Sequence, residues 1–323
     1  MSERRFGKDS TAEEVSQGID LAGQRALVTG ASGGLGAETA RVLALRGAAV
    51  TLTARDAAKG EAVASQIRAD TGNAAVDVMS LELMDLAMVR AFAKDYLARY
   101  PQLQILVNNA GVMACPLARS GEGYESQFAT NHLGHFLLTG LLVPALRAGA
   151  PARVVNVSSR GHRFSPVVFD DIHFERRPYD KWAAYGQAKT ANVLFSVALD
   201  RRLAPFGVRA YGLHPGAIMT ELGRHMSPED IQELIARVPG GKGMEWKTVP
   251  CGAATSVWAA TAPELEGRGG LYLEDCGVSE PRREEGAETG YEAWAVDPQA
   301  AERLWSVSEE LVGERFDWQG DTR

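Results

Sequence analysis

"RALVTGASGGLGAETARVLALRG", residues 25–47, carries the decision about the fold. A short β-type run leads into a turn holding Gly30, Gly33, Gly34 and Gly36, and then into a segment with apolar residues at helical spacing. Glycines without a Cβ let the backbone bend sharply and approach a pyrophosphate, which then rests against the free N–H groups and positive end of the next helix. Such a turn alone is a weak signal. Set between a strand and a helix, it points to a dinucleotide.

The same alternation runs outward from this unit. "AVTLTAR" (49–55), "AAVDVMSL" (74–81), "QILVNNAG" (104–111), "ARVVNVSS" (152–159) and "VRAYGLHPG" (208–216) are β-type runs separated by helix-type segments. This predicts an α/β protein: a Rossmann-type doubly wound parallel sheet with helices on both faces, in a single domain. The expected divisions are a polar N-terminal tail over 1–20, a dinucleotide-binding catalytic domain over 21–280, and a C-terminal extension over 281–323 with a docking helix near 299–313. Two connections break the rhythm, an aromatic-rich one at 160–184 and a substrate-loop region at about 219–250. Long connections of this kind are usually functional.

Composition narrows the partners. The 323 residues are 45% apolar and 23% charged, as expected of a globular protein. A net charge of −7, from 34 basic and 41 acidic side chains without a dense Lys/Arg run, argues against nucleic acid. Cys115, Cys251 and Cys276 are too few and too scattered for a disulfide framework or a zinc site, which suits a reducing compartment. The first fifteen residues lack the apolar stretch of a signal peptide or anchor, and "FLLTGLLVPAL" (136–146) is too short to cross a bilayer. A cytoplasmic protein without a membrane anchor is expected. His132 and His135 have the spacing of metal ligands, but no third ligand accompanies them, so no metal is expected.

The second strand ends in Thr53, Ala54 and Arg55, where a dinucleotide fold reads the adenosine ribose. A guanidinium there can pair with a 2′-phosphate, which favours NADP; the neighbouring Asp56 keeps NAD possible. Further on, Tyr185 and Lys189 stand four residues apart on one helix face. A free phenol titrates near ~10, and a close ammonium would lower that value, so that the phenol could exchange a proton with a substrate oxygen. In isolation such a pair is an ordinary surface feature. After a nucleotide turn it becomes a candidate acid and its electrostatic partner.

Taken together, "TGASGGLG" (29–36), "NNAG" (108–111), Asn131 in "NHLG", Ser159 in "NVSS", Tyr185 and Lys189 in "YGQAK", and "HPGAIMTEL" (214–222) occur in the order and spacing of a known family. Over roughly residues 20–280 the chain resembles the short-chain dehydrogenases/reductases. "NHLGHFLLT", "VVNVSSRGH", "AYGQAKTANVLF" and "AERLWSVSEEL" are similar to its retinol dehydrogenase and WW-domain oxidoreductase branch. The resemblance implies a catalytic set of Asn131, Ser159, Tyr185 and Lys189. Ser159, rather than Ser158, would polarise the substrate oxygen, Lys189 would bond the nicotinamide ribose, and Asn131 would hold a water leading from Lys189 to solvent. It further implies cofactor contacts at Gly30, Ser32, Gly33, Gly34, Leu35 and Gly36, at Arg55, Glu82 and Leu83, at Asn108, Ala110 and Gly111, and at Pro215, Gly216, Ile218 and Thr220, besides Tyr185 and Lys189. Glu82 stands where relatives often place an aspartate against the adenine, and Gly33 where some NADP-using members are basic.

The function expected is an NAD(P)-dependent oxidoreductase that moves hydride between nicotinamide and a hydrophobic alcohol/carbonyl pair. The alternative is a catalytically silent nucleotide-sensing interaction protein on the same fold. Phe164, Phe169, Phe174, Tyr179 and Trp182, with Met219, Met226, Met244 and Trp246, would form the apolar substrate pocket. The family expectation for assembly is a homo-oligomer.

Overall fold

The apolar runs named above become strands in the computed structural model, which describes residues 6–223, 226–236, 245–284 and 287–318. After a short helix, α1 (Ala12–Val15), the elements alternate: β1 (Arg25–Val28), α2 (Gly34–Leu45), β2 (Ala49–Ala54), α3 (Ala57–Thr71), β3 (Val76–Ser80), α4 (Leu86–Arg99) and β4 (Ile105–Asn108). A brief turn of helix, α5 (Ser126–Phe128), runs through a π-type turn at Ala129–Leu133 into α6 (Gly134–Ala148). Then come β5 (Ala152–Val157), a 3-10 turn at Arg160–Phe164, α7 (Lys181–Leu203) and β6 (Val208–His214). The remainder comprises β7 (Ala217–Ile218), α8 (Pro228–Ala236), β8 (Trp246–Lys247), α9 (Val249–Thr261), β9 (Leu271–Glu274), β10 (Gly277–Val278) and α10 (Pro298–Val312).

Eight strands form one sheet in the order β3-β2-β1-β4-β5-β6-β9-β10, parallel throughout except for β10, while β7 and β8 pair separately. Chain order reverses between β1 and β4, so the carboxyl ends of these strands open a crevice, the place where ligands of doubly wound sheets bind. Both faces are covered. One apolar cluster packs α4, α6, α7 and α10 against the sheet, and a second packs α1, α2, α3 and α9 against the other side. The strands accordingly read as continuous apolar runs without strict alternation.

The stretch expected as a polar N-terminal tail is docked from Phe6 onward. Thr11 caps α1 in a reciprocal box with Glu14, and Ala12, Val15 and Leu21 are buried in the second cluster. At the other end, the anticipated docking helix is α10, which buries Ala301, Leu304 and Trp305 against α7. Phe316 and Trp318 continue this seam beyond α10, stacking on each other 5.4 Å apart, and Phe316 fills the space above Gly140 of α6. No helix among the described residues is long and apolar enough to cross a membrane.

Candidate active site

The glycine turn is shaped by what surrounds it. Gly30 has a φ of +64°, and a Cβ there would lie 2.7 Å from the Ala110 Cβ. A Cβ on Gly36 would come within 2.5 Å of Asn109 Nδ2. Thr29 holds the two strand ends together: its hydroxyl accepts from the N–H groups of Asn109 and Ala110 at 2.9 and 3.0 Å, and Asn109 Nδ2 donates to the Thr29 carbonyl at 2.8 Å. The helix that follows is treated unlike its neighbours. Asp56, Asp85, Asp180, Thr248 and Asp297 cap α3, α4, α7, α9 and α10, whereas Gly33 leaves the N-terminus of α2 without a side-chain cap. Free N–H groups at the positive end of a helix, beside a backbone that no Cβ obstructs, fit a dinucleotide pyrophosphate.

From this turn extends a cleft of about 1090 Å³. Ser32, Gly33, Gly34, Leu35 and Gly36 border it with Gly30; Arg55, Glu82 and Leu83 follow at the ends of β2 and β3; Ala110 and Gly111 lie along β4's exit; and Pro215, Gly216, Ile218 and Thr220 form the facing wall. Arg55 is largely exposed, and its guanidinium stands 3.7 Å from the Glu82 carboxylate, whose other oxygen accepts from the Met84 N–H. Asn108 departs from expectation: it does not line the cleft, being the last residue of β4 with its amide turned into the core toward Thr139 and Asn156 at 2.9 and 2.7 Å. Asn109, one residue past the strand, takes the cleft position instead.

At the carboxyl end of β5 the two serines separate in role. The Ser158 hydroxyl is consumed by the Lys189 carbonyl at 2.7 Å, while Ser159 Oγ accepts from the Gly161 N–H at 2.9 Å, and Gly161 lies against both Ser159 Oγ and the Tyr185 ring. Tyr185 and Lys189, one turn apart on α7, both reach the cleft. Lys189 Nζ donates to the Val157 carbonyl at 2.9 Å and lies 5.7 Å from the Tyr185 ring centre. Asn131 sits in the π-type turn, behind the lining. Its amide clamps Val112, accepting from the N–H at 2.8 Å and donating to the carbonyl at 3.0 Å. A Cβ on Gly111 would be 3.1 Å from Asn131 Oδ1 and 3.6 Å from Lys189 Nζ, so all four expected residues converge around that glycine and Ser159.

The electrostatics differ from the sequence expectation in one respect. Burial pushes the Tyr185 phenol up to about 12, with the Ser159 hydrogen bond pulling the other way. Burial also draws Lys189 down to about 8. The ammonium is directed at a backbone carbonyl rather than at the phenol oxygen, which is why proximity on one helix face does not by itself lower the tyrosine.

The aromatic connection is mostly core. Phe164 borders the cleft, but Phe174 and Trp182 are buried, Phe169 packs beneath Arg303, and Tyr179 donates its hydroxyl to the Cys115 carbonyl at 2.9 Å. Met219, Met226 and Trp246 do line the cleft, joined by Leu222, Ile231 and Leu234; Met244 lies outside the described residues, as do Pro239, Gly240 and Gly241. His135 bonds Thr29 and the Asn131 carbonyl, and His132 bonds Ser308; no group of three metal-ligating side chains occurs among the described residues. Sequence reasoning passed over Asn109 and Arg160, both in the cleft wall. Each directly follows a strand or its terminal serines, the position from which side chains reach a crevice at the sheet's carboxyl edge.

Comparison with known proteins identifies the family. The short chain dehydrogenase family profile matches residues 24–230. Human retinol dehydrogenase 12 is 44% identical over 299 residues, which cover 93% of this chain and 89% of that protein. A crystal structure of an uncharacterised protein from Mycobacterium paratuberculosis superposes with a TM-score of 0.72 at 35% identity, covering 94% of this chain and 98% of the other. A gluconate 5-dehydrogenase from Burkholderia cenocepacia, in complex with NADP and tartrate, superposes at 0.63 with 27% identity over 80% of this chain and 96% of its own. By fold, by ordered motifs and by identity over nearly its whole length, the chain belongs to the short-chain dehydrogenases, in the branch of the retinol dehydrogenases.

Proposed function

We propose that the protein is an NADP(H)-dependent alcohol dehydrogenase or carbonyl reductase acting on an apolar substrate. The observation that carries this reading is the convergence of Ser159, Tyr185 and Lys189 in the same cleft as an uncapped helix N-terminus and glycine turn. The bound dinucleotide would supply or accept the hydride. The uncapped N-terminus of α2 would hold its pyrophosphate, and Lys189 would hold the nicotinamide ribose. Arg55 would meet the 2′-phosphate, in competition with its present partner Glu82; a relative of known structure, the gluconate 5-dehydrogenase, carries NADP.

Each chain residue then has a task. Ser159 fixes and polarises the substrate oxygen. Tyr185, a full phenol at neutral pH because burial raises it, donates its proton to that oxygen in the reducing direction and takes it back in the oxidising one. Lys189, protonated below about 8, stabilises the phenolate that results. Asn131 acts through Val112, fixing the strand exit against which Lys189 rests. Leu222, Met226, Ile231, Leu234 and Trp246 exclude water and select an apolar body. Oxidation of NADPH, followed by its absorbance with a panel of aromatic and aliphatic carbonyls, tests the reading. Turnover that disappears in Tyr185→Phe is expected; dinucleotide binding without turnover on any member of the panel would favour a nucleotide sensor instead.

A further inference from the structure

Three guanidinium groups of the cleft have no part in the scheme above. Arg160, Arg163 and Arg282 all border the cleft, yet Glu82 is the one carboxylate among its described lining residues. Glu82 belongs to the end of β3 and is already paired with Arg55 after β2. Arg160 follows β5, four strand positions from β3 in the sheet, or about 19 Å at the usual spacing. Among the described residues, the cleft wall on the β5 side therefore holds guanidinium groups without a carboxylate.

The three arginines are not equivalent. Arg163 donates to the carbonyls of Ala287 and Gly290 at 2.8 and 2.6 Å, and Arg282 is bound to Glu292 at 2.6 Å. Among the described residues nothing accepts from the Arg160 guanidinium, and its Nε is buried without a partner. Its backbone N–H donates to His214 Nδ1 at 3.1 Å. That bond makes Nδ1 an acceptor and leaves the proton of the neutral imidazole on Nε2, which is likewise buried with no acceptor. A half-buried guanidinium without an anion, next to a histidine donor without an acceptor, is costly unless something else completes it. The planar fork of an arginine matches a carboxylate with two parallel hydrogen bonds.

Position identifies what would carry the anion. Arg160 directly follows Ser159 in the chain, and both border the same cleft, on the β5 side of the sheet. The pyrophosphate cradle sits across the sheet at β1 and α2 and has its own donors. Deepening the oxidoreductase reading, on which it rests, we propose that Arg160 anchors a carboxylate on the substrate, so that the preferred substrate is an apolar alcohol or carbonyl compound bearing an acid group close to the reacting carbon.

The test uses the full chain with NADPH and one matched pair, 3-benzoylpropionate and its methyl ester. The acid should be favoured over the ester in kcat/KM by about tenfold or more, the range of a charge-assisted hydrogen bond. Arg160→Gln should collapse that ratio, and Arg160→Lys should restore part of it, whatever either change does to turnover as a whole. An acid-to-ester ratio that Arg160→Gln leaves intact overturns the proposal while the reductase reading stands. If neither compound is turned over, calorimetric titration of the acid into the NADP-loaded protein decides this proposal by itself, and the reductase reading is decided by the wider carbonyl panel. Binding to the wild type that is lost in Arg160→Gln supports the anchor; no binding, or equal binding to both, overturns it.

Discussion

Gly161→Ala tests whether the placement of the Tyr185 ring governs turnover. The glycine has no positive φ, so alanine meets no backbone strain, and its effect is steric alone. The added Cβ would stand 2.6 Å from Tyr185 Cε1, 2.9 Å from Cδ1 and 3.3 Å from Ser159 Oγ. Carbon atoms pack best at about 3.5–4 Å, so the ring must retreat by roughly 1 Å. It is only 3% exposed and has little room to do so. Overpacking of this kind costs about 1–3 kcal/mol of stability. A reacting group displaced by ~1 Å loses about a hundredfold in rate. The expected outcome in the NADPH-linked reductase assay is a kcat/KM down by that factor. The thermal midpoint should fall modestly, and NADPH binding, followed by its fluorescence, should persist because the glycine turn is untouched. A variant whose kcat/KM stays within about twofold of wild type would refute the claim that phenol placement limits the reaction.

Arg55→Ala should raise KM for NADPH by about tenfold or more and leave NADH unaffected, as expected for loss of one charge-assisted phosphate contact; Glu82→Gln should act in the opposite direction by freeing Arg55, and equal effects on both cofactors would remove the 2′-phosphate assignment. Lys189 is cationic below about 8 and neutral above, so kcat/KM for carbonyl reduction should fall as pH rises through that value; Lys189→Arg should carry the decline upward, and a flat profile to pH ~10 would contradict the role. Burial lowers His132 to about 3 and His135 and His162 to about 4, so the unfolded chain takes up these protons first as pH drops below ~6.5. Stability present above that value should be lost between it and about 4, by up to ~1.4 kcal/mol per pH unit for each imidazole, and equal urea midpoints at pH 7 and pH 5 would disprove it.

The sheet and the nucleotide turn were legible in the sequence because both are written locally. Glycine spacing, the run of apolar strands and the four-residue step from Tyr185 to Lys189 need no knowledge of distant contacts. What lay beyond reach depended on neighbours far along the chain. Asn108 and Asn109 are adjacent and chemically identical, and only the pairing of β4 with β5 turns the first toward Asn156 and leaves the second at the cleft. Phe174, Tyr179 and Trp182 carry the composition of a pocket but face Glu125, Cys115 and the core. The upward shift of Tyr185 lay beyond reach for the same reason. Helical spacing fixes which residues share a face, whereas the Val157 carbonyl that captures the lysine is supplied by another strand.

The seam made by Trp305, Phe316 and Trp318 bears on how the molecule is assembled in time. Phe136 on α6 meets Trp305 and Phe316 at ring distances of 4.9 and 5.7 Å, across some 170–180 intervening residues. During synthesis the apolar outer flank of α6 and α7 therefore waits, uncovered, until the last described segment emerges. Contacts of such long sequence separation are slow to form, and greasy surface held open meanwhile is where chains stick to one another. A substitution at Phe316 thus bears on the yield of correctly folded protein, far from the chemistry, by lengthening the interval before the flank is sealed.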